Sequence, residues 1–295
     1  MGKSLAFIGL GIMGRSMAAR LMEGGNSLTV FTRTRSTAAA LMERGARWAD
    51  SPAEAAHGAE MVFICVTDTP DVVAVIEGEK GILSAARSGL IVVDHSTISP
   101  AATREMAGKL AEKGTVLLDA PVSGGDVGAK QGTLSIMVGG ETSAFDVALP
   151  LFKLMGKTIT HCGGSGTGQL TKLVNQILVS VTNLAVCEAM VFALQNGLDL
   201  AKTLAAVGGG AAGSWQLANL GPKMMDGDFR PGFMIDLQQK DLRLVLQAAG
   251  QAKTPALAAS LVHQLFAAAQ ADGRGREGTQ ALFTVLQKMA GAGGK

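Results

Sequence analysis

Residues 5–21 read LAFIGLGIMGRSMAARL, and the reading of this stretch decides the fold. An apolar strand candidate, Leu5 to Ile8, runs directly into Gly9, Gly11 and Gly14, and an amphipathic helix candidate begins near Met13. The first glycine permits a tight turn and the second lets backbone approach a pyrophosphate. The third lets helix pack closely on strand, and the helix N-terminus offers unpaired amides. Alone, a GxGxxG pattern is a weak signal. Strand, glycines and helix in this order, opening the first βαβ unit, make it a dinucleotide cradle formed by Gly9, Gly11, Ile12, Met13 and Gly14.

The second strand candidate, Ser27 to Phe31, carries the next clue. A site built for NAD places an Asp or Glu at the end of this strand, about 20 residues past the glycines, to hold the ribose 2′-hydroxyl. Here the strand continues into Thr32-Arg33-Thr34-Arg35, with guanidiniums and hydroxyls where the carboxylate would stand. Guanidinium planes pair bidentately with phosphate oxygens, whereas a carboxylate would repel a 2′-phosphate. Thr32, Arg33 and Thr34 therefore point to NADP(H), with NAD(H) possible; Arg35 fits a solvated basic loop as well.

From residue 5 to about residue 162, short β-rich apolar runs alternate with helical patterns. Met61 to Val66, Leu90 to Asp94, Val116 to Asp119, Leu134 to Val138 and Thr158 to Cys162 are strand candidates. The alternation predicts an α/β Rossmann domain over residues 1–162, a doubly wound parallel sheet whose ligands sit at the carboxyl ends of its strands. Val66 ends one strand candidate and faces that cleft. Asp94-His95-Ser96-Thr97 ends another, so the hydroxyls of Ser96 and Thr97 are expected to bond the cofactor, although a helix N-cap before Pro100 competes for them.

After Gly163-Gly164-Ser165-Gly166-Thr167-Gly168 the character changes to long helical segments. Residues 163–295 are predicted to form an all-helical substrate and oligomerisation domain. Its first helix, roughly Gln169 to Gln195, is too long and apolar for a wet surface and is expected between domains or subunits of a homodimer or homotetramer. The tail from Gly291 to Lys295 is expected to fray.

On that helix Lys172, Asn175, Gln176, Val179 and Asn183 share a face by helical spacing. Burying a lysine is costly unless it is paired or neutral, and a desolvated ammonium can act as a general acid when hydride attacks a carbonyl. Asn175 or Gln176, one turn on, can hold the same oxygen. A Lys that snorkels from the helix's first turn is the competing view. Asp119-Ala120-Pro121-Val122-Ser123-Gly124-Gly125 follows another strand end, where exposed amides can wrap a carboxylate; by composition alone it is a glycine turn.

Composition removes other classes. With 295 residues and 47% hydrophobic, the chain can bury a large core or two moderate ones. A formal charge of +2, without a basic run interleaved with aromatics, disfavours nucleic acid. The scattered His57, His95, His161 and His263 lack metal-ligand spacing, so no metal is expected. Cys65, Cys162 and Cys187 lie in apolar stretches and are expected to be buried free thiols in a reducing compartment. With no signal peptide and no uninterrupted apolar run of membrane-spanning length, a cytoplasmic location is expected. The chain has no Tyr, which excludes chemistry built on a Tyr acid; His95 as the acid would need a carboxylate neighbour, and a core histidine is commoner.

Taken together, GLGIMG at 9–14, DAPVSGG at 119–125, GTLSIMVGG at 132–140, GTGQLTKLVNQ at 166–176 and KDL at 240–242 resemble the β-hydroxyacid dehydrogenase family over nearly the whole chain. Within it the chain looks most like tartronate semialdehyde and glyoxylate/succinic semialdehyde reductases. The resemblance implies a nicotinamide-dependent reductase of a small carboxylate-bearing semialdehyde or 2-oxo acid. It implies Lys172 as catalytic acid/base, Ser123, Gly124 and Gly125 as the carboxylate cradle, Lys240 as the second-domain lysine near the cofactor, and Phe233 on the same closing surface. The chain departs from the family where an Asn usually stands four residues after the lysine: Gln176 is there, with Asn175 one place earlier. Arg20 and Thr32 likewise replace usual Asn residues. Imine reduction on the same scaffold, or a catalytically silent dinucleotide-binding module, are the alternatives; the first usually has Asp or Tyr in place of the lysine.

Overall fold

The structure, a computed structural model, describes residues 2–291. Of the tail expected to fray, residues 292–295 lie outside the described residues. The chain divides into two compact units, the first ending at Lys172 and the second beginning at Leu173.

The strands are β1 (Ser4–Ile8), β2 (Ser27–Phe31), β3 (Arg47–Trp48), β4 (Met61–Ile64), β5 (Ile91–Asp94), β6 (Val116–Asp119), β7 (Val122–Ser123), β8 (Leu134–Gly139) and β9 (Gly156–Gly163). The helices between them are α1 (Ile12–Glu23), α2 (Ala39–Glu43), α3 (Pro52–Ala56), α4 (Thr69–Glu77), α5 (Pro100–Ala111), α6 (Gly125–Gln131) and α7 (Thr142–Met155). The nine-stranded sheet has the order β3-β2-β1-β4-β5-β6-β8-β7, with β9 against β8. From β3 to β6 every pairing is parallel, whereas β8 runs antiparallel to β6 and β7. The doubly wound sheet expected from the alternation is thus present but mostly, not wholly, parallel. The two-residue strands β3 and β7 escaped the sequence reading because two residues carry no periodicity.

Why the sheet is wound on both faces is visible in its strands. Met61–Ile64 and Ile91–Asp94 are buried at every position, as central parallel strands are. Phe7, Val30, Phe63, Val93 and Leu118 face Met17 and Leu21 of α1 and Phe152 of α7. Their neighbours Ala6, Ile8, Val62, Ile64, Val92 and Leu117 form the opposite core with Ala55, Ala56, Val72, Ile76, Met106 and Leu110. Alternate residues of the same strands therefore feed two cores.

The second unit is helical. It holds most of α8 (Thr167–Gln195), then α9 (Leu200–Gly208), α10 (Trp215–Met225), α11 (Ile235–Gln251), α12 (Leu257–Ala271) and α13 (Leu282–Met289). Their core gathers Cys187, Met190, Leu242, Val245, Val262, Phe266 and Leu282. The division between units falls inside α8, ten residues beyond the 162/163 boundary read from the sequence. The cause is that the first turn of α8 is hydrogen-bonded to the sheet.

By length and composition α8 is able to cross a bilayer, which corrects the expectation that no segment is. Polar residues interrupt its apolar run without lowering its average enough. Yet 44% of its most apolar window is buried within the structure, and Lys172, Gln176, Ser180 and Asn183 are buried along it. Those features are what a core helix of a globular protein shows. Of the cysteines, only Cys187 is buried; Cys65 and Cys162 are partly exposed, and all three are free thiols.

Candidate active site

The glycine turn after β1 has the form a dinucleotide needs. Gly9 takes φ +94°, a left-handed conformation, and its N–H donates to the Phe31 carbonyl at 2.9 Å. A Cβ at Gly14 would run into the Gly9 carbonyl oxygen and press on the Phe7 ring, whereas a Cβ at Gly11 would meet nothing within 4 Å. Gly14 is therefore a packing glycine, and Gly11 leaves open space beside the helix start. Gly11 caps α1 without any side-chain hydrogen bond, and no acidic residue lies in the first turn. Uncapped amides and open space suit a pyrophosphate against Ile12 and Met13.

At the end of β2, Thr32 is half-buried while Arg33 and Thr34 are exposed. The Arg33 side chain is 83% exposed and its Nη1 lies 3.4 Å from Asp71 Oδ1. An exposed pair of this kind contributes little and leaves the guanidinium available. Arg35 is exposed, as a solvated loop residue would be, and its guanidinium lies over the Trp48 ring at 5.3 Å.

The segment after β5 is mostly internal. His95 is buried, stacks on Phe63 at 5.8 Å, and its Nδ1–H donates to the Ala120 carbonyl at 2.6 Å. Burial lowers its pKa to about 4, so the ring is neutral and serves as core. Ser96 is 2% exposed and its hydroxyl oxygen accepts the Val66 N–H at 2.9 Å. Where β4 ends, that backbone donor needs a partner, and the hydroxyl meets it. The N-cap of α5 is Ser99, so neither Ser96 nor Thr97 caps that helix. Thr97 is half-buried.

Ser123 ends β7 and Gly124 joins it to α6, with Gly124 at φ +130° and Gly125 at φ +62°. Gly124 caps α6 without a side chain, which leaves amides of a tight turn beside a half-buried serine hydroxyl.

On α8, Lys172 is only 7% exposed. The helix's first turn is seated by Asp119, whose Oδ1 accepts the Gly166 N–H and whose Oδ2 accepts the Gln169 N–H, both at 2.8 Å. Burial pushes the Asp119 carboxyl above its usual range while those N–H groups pull it back. The buried polar row is Lys172, Gln176, Ser180 and Asn183. Ser180 is the buried polar residue of the third turn, beside the half-buried Val179 read from the sequence.

Further along the same helix, Asn175 Nδ2 donates to Gln176 Oε1 at 2.8 Å, and Gln176 Nε2 donates to Asp241 Oδ2. Asp241 is buried, and its Oδ1 lies 2.7 Å from Lys240 Nζ. A chain of contacts thus links Asn175, Gln176, Asp241 and Lys240. Asp241 was missed as a site residue although it stands inside the KDL motif; its adjacency to Lys240 was the available signal. Phe233, just before α11, is 36% exposed.

Comparison with known proteins follows this geometry. Residues 4–164 match the family described as the NAD binding domain of 6-phosphogluconate dehydrogenase. Residues 166–286 match the one described as NAD-binding of NADP-dependent 3-hydroxyisobutyrate dehydrogenase. The chain is 42% identical to the 2-hydroxy-3-oxopropionate reductase of Escherichia coli (strain K12) over 286 residues, covering 97% of this chain and 98% of that protein. Among solved structures, Mycobacterium tuberculosis 3-hydroxyisobutyrate dehydrogenase with L-serine is similar at TM-score 0.89 and 31% identity, covering 97% of this chain and 100% of the other. Psf3 in complex with NADP+ and 2-OPP is similar at TM-score 0.87 and 28% identity, covering 96% and 99% respectively.

Proposed function

The chain belongs to the β-hydroxyacid dehydrogenase family, the 3-hydroxyisobutyrate dehydrogenase-like NAD(P)-dependent oxidoreductases acting on CH–OH, and from that premise we propose that it reduces a small carboxylate-bearing semialdehyde or 2-oxo acid with NADP(H), Lys172 giving the proton. The observation that carries this reading is the burial of Lys172 on a helix whose first turn is tied to the sheet's carboxyl ends. A bound reduced nicotinamide supplies hydride to the carbonyl carbon. Lys172 gives the proton that the developing alkoxide takes up, so that carbonyl, hydride and proton together make the hydroxy acid. Asn175 and Gln176, three and four residues beyond, are the amides that steady the same oxygen.

Gly9, Gly11, Ile12 and Met13 hold the pyrophosphate, Gly14 keeps the helix close to the strand behind them, and Val66 and Thr97 stand at the neighbouring strand ends. Thr32, Arg33 and Thr34 read the 2′-phosphate, supported by the availability of the Arg33 guanidinium. Ser123, Gly124 and Gly125 take the substrate carboxylate, supported by the left-handed glycines that turn amides outward there. Lys240 and Phe233, in the helical unit, are read as cofactor residues by the family resemblance. A homodimer or homotetramer fits the exposed apolar row Leu170, Val174 and Leu178 on α8.

The test is a panel of glyoxylate, succinic semialdehyde and tartronate semialdehyde with NADPH and with NADH. Oxidation of NADPH by one of them, more efficient than that of NADH, is expected. Lys172→Ala is expected to lower kcat by about 10²- to 10⁴-fold while NADPH affinity stays unchanged. NADPH binding with no turnover on the whole panel, or an unimpaired Lys172→Ala, overturns the reading.

A further inference from the structure

We infer that Asp119 and Gln169 are positioning residues for Lys172: together they clamp the first turn of α8 onto the carboxyl ends of β5 and β6 and so set where the lysine amine stands. The inference rests on the reading of Lys172 as proton donor and adds the parts that aim it.

Four hydrogen bonds and one close backbone approach carry it, all within the first unit. Asp119 does the work of a helix N-cap from 47 and 50 residues away, one carboxylate oxygen on Gly166 N–H and the other on Gln169 N–H. The residue before the helix, Gly166, has no side chain to serve instead, and the Thr167 hydroxyl is directed to the Gly164 carbonyl at 2.7 Å. Gln169 is fully buried, its Oε1 accepting the Ile98 N–H at 3.0 Å and its Nε2 donating to the Ser96 carbonyl at 2.8 Å. That amide binds the same turn to the segment following β5. Between these two, Gly168 lies so close to the sheet that a Cβ would strike the Met137 and Asp119 carbonyl oxygens.

The geometry is what a positioned proton donor requires. Lys172 is three residues past Gln169, within one helical turn of the clamp. A carboxylate that accepts two backbone N–H groups at a helix start is held by charge-assisted bonds aligned with the helix dipole. The turn therefore has one placement relative to β5 and β6, and the lysine inherits it. A small shift of a catalytic group is costly in rate even where the fold survives.

Two variants test this. Asp119→Asn keeps the shape but turns an amide nitrogen toward one of the two N–H groups. Gln169→Met keeps the length and removes both side-chain bonds. Each is made alone and with Lys172→Ala, with kcat, KM, NADPH affinity by fluorescence and thermal unfolding measured throughout. In the otherwise native enzyme each is expected to lower kcat about 10- to 100-fold with NADPH affinity unchanged. In the Lys172→Ala background neither is expected to lower the residual rate further, because groups that act through one residue lose their effect with it. Folded variants with native kcat overturn the inference. So does an equal fold-loss in both backgrounds, which marks general structural damage. If Asp119→Asn does not fold, Gln169→Met decides by the same criteria. A Lys172→Ala enzyme with native kcat overturns instead the lysine reading, so the two failures are separable.

Discussion

At the scale of single residues, burial alone does not separate the working groups from the structural ones. His95 and Lys172 are both titratable and both nearly buried. His95 spends its Nδ1–H on Ala120 and is packed against Phe63 and Phe152, so its ring is core. Its pKa near 4 has a consequence for stability. The folded protein refuses a proton that the unfolded chain accepts below about pH 6.5. The contribution of neutral His95 is thus complete above that pH and is lost progressively as pH falls toward 4, by an amount on the order of 3 kcal/mol. Urea unfolding of native protein and His95→Gln at pH 7, 6, 5 and 4 checks it: the difference between the two should shift steadily across that range, and parallel curves would refute it. The sequence already favoured a core role for this histidine. The bond from the Val66 N–H to Ser96 was not legible, because it depends on where another strand ends.

At the scale of elements, the strand–turn–helix of β1 and α1 assigns different work to glycines that look alike in sequence. Gly14 has no room for a Cβ, and Gly11 has nothing near it. Gly14→Ala is expected to destabilise the fold by roughly 1–3 kcal/mol, the usual penalty of overpacking. Gly11→Ala is expected to melt like the native protein yet bind NADPH more weakly, because its methyl occupies the space a pyrophosphate would use. Thermal unfolding and NADPH fluorescence titration, run on both, check the pair; equal behaviour of the two variants would contradict this division. The long helix α8 was legible in nearly its observed bounds, since 29 residues of helical pattern leave little ambiguity. Its buried Ser180 was not singled out, and its capping partner Asp119 was not legible at all. A cap that comes from 47 residues upstream leaves no local trace.

At the scale of the molecule, two units each bury their own core, and the apolar surface left outside is concentrated on helices. Val174, Leu178 and Phe192 on α8 are 57%, 64% and 68% exposed. On the proposed homo-oligomer these are covered by a second copy, so Leu178→Glu is expected to lower the sedimenting mass toward that of one chain, and an unchanged mass would rule the residue out of the interface. The sequence alone determined the α/β and all-helical halves, the glycine turn, the missing acid at the end of β2 and the lysine on the long helix. Each of these is written in local order, as period, spacing or residue type within one element. Only the tertiary structure decided that β8 runs antiparallel, that Ser96 meets the Val66 N–H, that Asp241 joins Gln176 and Lys240, and that Asp119 with Gln169 seats the start of α8. These are contacts between residues far apart in the chain. They exist only once burial forces every backbone N–H and every buried charge to find a partner in three dimensions.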